Sequence, residues 1–245
     1  MIVNSLQDGW EVIYQRSHAH LAATLVAAWR IADRMPAWTD LIIATAQHDD
    51  QEMFWNDVDH LTEIGAPMDF AVAELNTRRI QAQLVIDNAH RQGTLIALLI
   101  SLHNSFLYER MRGQDKQLDA FLDRQRKDKK AWLRRLKWSQ AEAARAYDFI
   151  RWADRMSLIL CRRELPDRER ALEIEPTPDG EMSQIRLRED GSLSLDPWIF
   201  EEDRVTVSVE VRRLKQLKFE SEQELRKTLD KAKIEVREWA FRRKD

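Results

Sequence analysis

Cysteine occurs once in 245 residues, at Cys161. One thiol cannot close an internal disulfide or build a Cys-rich zinc finger, and such sparing use suits a reducing compartment. Glycine and proline number six each, too few for the turns of an all-β fold and compatible with long helices. Long apolar runs are missing: the stretch 95–102 is far too short to span a bilayer. Residues 1–15 lack the basic stretch and apolar core of a signal peptide. Charge of one sign is lacking too. The net charge is −3, which gives no general attraction to nucleic acid or to a membrane surface. A Gly-rich phosphate loop, a nucleophile elbow and a Walker motif are all absent. These absences lead us to expect a soluble cytoplasmic protein with no membrane or nucleic-acid partner.

What the chain does have is a succession of helical patterns, with nine tryptophans to bury. Trp10-Glu11-Val12-Ile13-Tyr14 reads as a short strand or extended lead-in, and Ser17 as the N-cap of a helix over about 18–32. On that helix His18 shares a face with Leu21, Ala22, Leu25, Ala28 and Trp29, while His20 falls elsewhere. After Pro36 a second helix, over about 39–50, is apolar nearly all round and ends in His48-Asp49-Asp50. Buried charge of that kind needs a partner or a metal. Helices follow over about 71–91, ending near His90, and over about 95–112, with His103 inside an apolar stripe. The basic helix over about 116–138 reads as a solvated face. Ser139 and Glu142 form a capping box for a helix that carries Asp154 beside Tyr147, Ile150 and Ser157. His20, His60 and His90 read as surface residues or as supports behind a ligand. Segments 184–188, 192–195 and 205–211 alternate like strands, with Asp190-Gly191 as a hairpin signal. A helix over about 221–232 and a strand over about 234–241 close the pattern.

Helical frames build metal sites from side chains that point inward from several helices. His18, His48, Asp49, His103 and Asp154 come from four separate helical patterns and are the candidate ligands. Mixed imidazole and carboxylate donors suit zinc, manganese or iron better than calcium. An open coordination position would hold a water that the ion makes acidic. Asp50 and Glu52 are the candidate proton-moving acids.

A histidine, then a His-Asp pair, then a late helical aspartate resembles the HD-domain superfamily of metal-dependent phosphohydrolases, over residues 18–154. Carried over, the resemblance makes His18, His48, Asp49 and Asp154 metal ligands. It makes His103 and His90 the middle histidines of two-metal members. Glu52 has the spacing of an acid found in some mononuclear nucleotidases of that superfamily.

More closely, the chain resembles an uncharacterised bacterial family of unknown function with HD-like helices. That likeness rests on Gln15-Arg16-Ser17-His18, His48-Asp49-Asp50, Gly65-Ala66-Pro67-Met68-Asp69-Phe70, Ser101-Leu102-His103, Asp154-Arg155-Met156-Ser157 and Asp196-Pro197-Trp198. The family usually has Gly-Trp after the His-Asp-Asp, where this chain has Gln51-Glu52.

The implied fold is mainly α: an HD-domain-like helical bundle over residues 1–170, then a small antiparallel β-sheet with one helix over 171–245, an α+β subdomain packed on it. The implied activity is hydrolysis of a small-molecule phosphate ester, such as a nucleotide, through a metal-activated water. Two other readings stay open here. One is a di-iron oxygenase that also uses His90; the other is a non-catalytic binding or scaffold protein that keeps the pocket.

Overall fold

Strands open and close this chain, and helices fill its middle. The structure, a computed structural model, describes residues 1–50, 59–72 and 75–243, with backbone alone over 75–78. The first two strands, β1 (Ile2–Leu6) and β2 (Gly9–Ile13), form a hairpin. Gly9 has φ of 150°, and a Cβ there would lie 1.9 Å from the Leu214 carbonyl oxygen. Only glycine lets the hairpin close so tightly on its neighbour.

Helix α1 (Gln15–Ala27) follows β2 with no loop between them. Tyr14 is its N-cap and offers no side-chain bond; its carbonyl accepts from the amides of Ser17 and His18 at 3.0 and 3.2 Å. Ser17 is therefore not the cap. The strand sets where the helix starts, three residues earlier than a Ser17 cap would. Next come α2 (Trp38–Gln47), α3 (Leu75–Gln92), α4 (Thr94–Glu109), α5 (Lys116–Leu136) and α6 (Gln140–Cys161). The capping box of α6 is present, with Ser139 and Glu142 each accepting the other's backbone N–H, an arrangement that stabilises a helix by about 1 kcal/mol. The basic helix α5 is partly balanced: Arg124 pairs with Asp128 on the same helix and with Asp87 on α3, and Arg126 with Glu109 on α4.

The remaining elements are β3 (Leu172–Pro176), β4 (Met182–Leu187), β5 (Leu193–Asp196), β6 (Arg204–Leu214), α7 (Glu222–Lys231) and β7 (Lys233–Arg242). All the strands form one sheet in the order β1-β2-β6-β7-β5-β4-β3. Neighbours run antiparallel except β5 and β7, which are parallel. β6 and β7 pair from Arg204↔Arg242 to Arg213↔Lys233. On β6, Val207, Val209 and Val211 are buried while Thr206, Ser208 and Glu210 are exposed, the period-two alternation of a sheet with one covered face.

A mainly α bundle followed by a small antiparallel sheet is therefore not the fold. The described residues form a mixed α/β structure of seven α-helices and a seven-stranded mixed sheet. The N-terminal hairpin belongs to that sheet. Strands as short and as charged as Leu172-Glu173-Ile174-Glu175-Pro176 carry little local signal, and their pairing is decided by distant partners. No described helix is long and apolar enough to cross a membrane.

Helix α1 packs against α2, α6 and β6, and α6 also meets β3. Trp29 stands edge-on to Phe149 and Trp152, with ring centres 4.9 and 5.1 Å apart. Trp152 Nε1 donates to Ser183 Oγ on β4, tying α6 to the sheet. Truncating such an aromatic to alanine costs about 3–5 kcal/mol.

A second tie is ionic. Glu11 on β2 is 0 % exposed, and its carboxylate meets Arg163 at 2.8 Å, Arg213 at 3.2 Å and Arg237. Asn4 Nδ2 donates to Glu11 at 3.1 Å and to the Cys161 carbonyl at 2.8 Å. Arg237 also donates to the Leu160 carbonyl. The C-terminal end of α6 is thus pinned to the strands that deliver α1.

Candidate metal centre

The site forms where α1, the end of α2, α4 and α6 meet. His18 lies one turn into α1, fully buried. His48 is the C-cap of α2, and Asp49 follows it. Asp154 comes from the middle of α6. One ligand-type atom from each of these four lies within 4.8 Å of all the others. Donors bound to one ion at about 2.1 Å each are separated by at most about 4.2 Å, so small side-chain shifts would gather these four around a single ion.

The histidine tautomers follow from the surroundings. His48 Nδ1 lies 2.6 Å from the Thr45 carbonyl, which can only accept, so that nitrogen carries hydrogen. Its Nε2 faces Asp154 Oδ1 at 3.1 Å. His18 Nδ1 lies 2.9 Å from Ser157 Oγ. The Ser157 hydroxyl spends its proton on the Asp154 main-chain carbonyl at 2.8 Å, so it accepts from His18 Nδ1–H. His18 Nε2 then faces Asp49 Oδ2 at 3.0 Å. Two imidazole lone pairs are thus aimed at two carboxylates. A lone pair facing a carboxylate is repulsive unless a cation lies between them. A proton on His48 or a divalent ion between the groups supplies that cation.

The electrostatics agree with the geometry. Burial alone would lower the His48 pKa. The carboxylates of Asp49 and Asp154 outweigh that, helped by the Thr45 carbonyl, and raise it to about 9. Burial alone would raise the carboxyl groups of Asp49 and Asp154. The charge on His48 and the histidine hydrogen bonds hold both below the usual carboxylate range instead.

His103, on α4, stands beside the four rather than among them. Its Nε2 is 3.7 Å from Asp49 Oδ1, and its ring meets that of His48 edge-on at 4.7 Å. Asp50 turns to Arg16, with Nε to Oδ1 at 2.8 Å. Glu52 lies outside the described residues. His90 is exposed at the end of α3, with its ring over Trp132 at 5.4 Å, so the six-residue set that a di-iron centre requires is not assembled. His60 is buried, and its amide donates to Glu222 at 2.8 Å.

Sequence reasoning did not assign a role to three supporting residues. Gln15 Nε2 donates to Asp49 Oδ2 at 3.1 Å. Ser157 orients His18. Tyr147 Oη lies 3.4 Å from His103 Nδ1, its phenol pushed above the usual range by burial and by Asp154. Ser157 had a signal: it stands three residues after Asp154 and so on the same helix face.

The profile of a family described as Protein of unknown function (DUF3891) matches residues 1–216. No curated protein and no solved structure matches the chain.

Proposed function

The chain belongs to the DUF3891 family of proteins of unknown function, and we propose that its His/Asp cluster is the single-ion centre of a phosphohydrolase acting on a small phosphate ester, such as a nucleotide. The observation that carries this reading is the convergence of two buried imidazole rings, each with Nε2 set against a carboxylate, Asp49 or Asp154. That donor set suits zinc, manganese or iron. The order of the four residues along the chain, which resembles the HD-domain superfamily, favours phosphate ester hydrolysis over other metal chemistry.

His18, His48, Asp49 and Asp154 would hold the ion. A divalent ion bound there supplies Lewis acidity, making a water acidic and polarising a phosphoryl oxygen. The protein does the rest. Ser157 and the Thr45 carbonyl fix the two imidazole rings, and Gln15 steadies Asp49. Such outer partners orient ligands and raise their basicity. Arg16, on the first turn of α1 and 62 % exposed, is held at the edge of the site by Asp50. It is the cation placed to neutralise a phosphate ester. Proton transfer falls to Asp50 or Glu52.

The test is metal analysis of the purified full chain beside His48→Ala and Asp49→Ala. Roughly one ion per chain is expected in the wild type and none in either variant. A panel of phosphomonoesters, phosphodiesters and nucleotides should then show turnover that needs both the ion and Asp49. A folded wild type that takes up no zinc, manganese or iron would sink the reading. Metal uptake without turnover of any of these substrates would leave a binding protein instead.

A further inference from the structure

A groove lies between the β1–β2 turn, the end of β6 and the C-terminal half of α7, and it shares no residue with the metal centre. Its volume is about 770 Å³, within the range of small-molecule sites. Five cationic side chains line it, Arg213, Lys215, Lys227, Lys231 and Lys233, against two carboxylates, Asp8 and Glu235. The chain as a whole is negative, so this excess is a local concentration against the overall sign.

Two of the five cations are structural. Glu235 takes Arg213 Nε at 3.1 Å and Lys233 Nζ at 3.0 Å, and Arg213 also reaches Glu11. Lys215, Lys227 and Lys231 make no ion pair among the described residues. Lys231, in the last turn of α7, also offsets the helix dipole. Lys227 one turn earlier and Lys215 just beyond β6 have no such part to play. Lys227 and Lys231 stand four apart on one helix face and repel each other, a repulsion that an anion between them would relieve. Beside these cations stands Trp10, half-buried, its indole fixed by a 3.0 Å bond from Nε1 to the Leu217 carbonyl. Leu6 and Leu214 extend the apolar wall.

We propose that this groove binds a nucleotide-like molecule, a flat ring system bearing two or more phosphates. The phosphates lie on Lys215, Lys227 and Lys231, and the ring lies on Trp10. Three free lysines match one polyphosphate group.

The experiment measures ADP and pyrophosphate binding to the full chain carrying His48→Ala, which keeps the metal centre out of the result. Saturable binding of both is expected, tighter for ADP and weakened by salt. Lys215→Glu with Lys227→Glu should weaken ADP by about tenfold or more, the scale of a lost charge-assisted contact, with the unfolding midpoint unchanged. Trp10→Leu should abolish the preference for ADP over pyrophosphate. The exposed lysine pair keeps the test valid if Trp10→Leu fails to fold. Absence of saturable ADP binding, indifference to the lysine reversals, or a short RNA displacing ADP at equal phosphate concentration would each overturn the proposal.

Discussion

The carboxylate of Glu11 and the pair Asp49 and Asp154 are both drawn in from solvent, and they are satisfied by opposite means. Glu11 is surrounded by the guanidinium groups of Arg163, Arg213 and Arg237. Arginine does not release its proton in a protein, so this cluster has one state. Asp49 and Asp154 are satisfied by His18 and His48, and a histidine can exchange its proton for a metal. Glu11 is fully buried, Asp49 nearly so and Asp154 partly, but it is the partner that decides the outcome. Guanidinium makes a lock of a buried carboxylate, and imidazole makes a site of it.

The largest effect should come from opening the lock. Glu11→Gln keeps the shape but leaves Arg163 and Arg237 without their counter-charge, while Arg213 keeps Glu235. Breaking a buried pair costs about 3–5 kcal/mol, and partial exposure of Arg163, at 49 %, puts the expected loss near the lower end. Urea unfolding measures it. Metal uptake by the folded fraction should stay at the wild-type level. An unfolding midpoint equal to wild type would mean that Glu11 is not a lock, and the contrast would collapse.

Next comes a change that loosens the site without removing a ligand. Ser157→Ala frees the His18 ring, and losses of such orienting partners weaken metal affinity by about 10–100-fold. Stability should change by only about 1 kcal/mol. Competition against a fluorescent chelator reads the affinity. A larger loss of stability than of affinity would make Ser157 a packing residue.

The third effect is pH dependence, which the Glu11 cluster should lack. With His48 raised from 6.5 to about 9, the metal-free protein keeps this contribution to its stability in full below 6.5. The contribution is lost as pH rises through about 9. Metal binding displaces that proton. Affinity should therefore rise about tenfold per pH unit below 9 and flatten above it. Unbuffered titration at neutral pH should detect proton release as metal binds. Binding without proton release would contradict the assigned protonation of His48.

The smallest effect is expected from His90→Gln. Its ring lies on Trp132, away from the cluster, so metal affinity should stay within about twofold of wild type, the scale of a surface substitution. A large loss would bring the two-metal arrangement back.

Much of this was legible along the chain where the signal is local. The Ser139/Glu142 box marks the start of α6, and alternation marks β6. The adjacency of His48 and Asp49 at the end of an apolar helix points to a polar site before any contact is known. What could not be read is whatever depends on distant pairing. β1 and β3 are five residues long with polar residues interspersed, and they become strands only because β2 and β4 lie beside them. The roles of Gln15 and Ser157 likewise appear only when α1 crosses α6. Asp50 stands next to a ligand in sequence yet turns to Arg16, because a helix end sends consecutive side chains in different directions.

The place of β7 in the sheet has a consequence for synthesis. This strand, residues 233–242, lies between β6 and β5 and is what joins the hairpin side of the sheet to the β3–β5 side. On a ribosome the six earlier strands emerge first and have to wait as two separate sets, each with an open edge. Open edges of that kind invite wrong partners while the chain is incomplete. The closing step is a long-range one that pays loop entropy late. A stalled or truncated chain that ends before residue 233 should therefore carry well-formed helices and two unpaired edges, which makes it a client for chaperones rather than a smaller working protein.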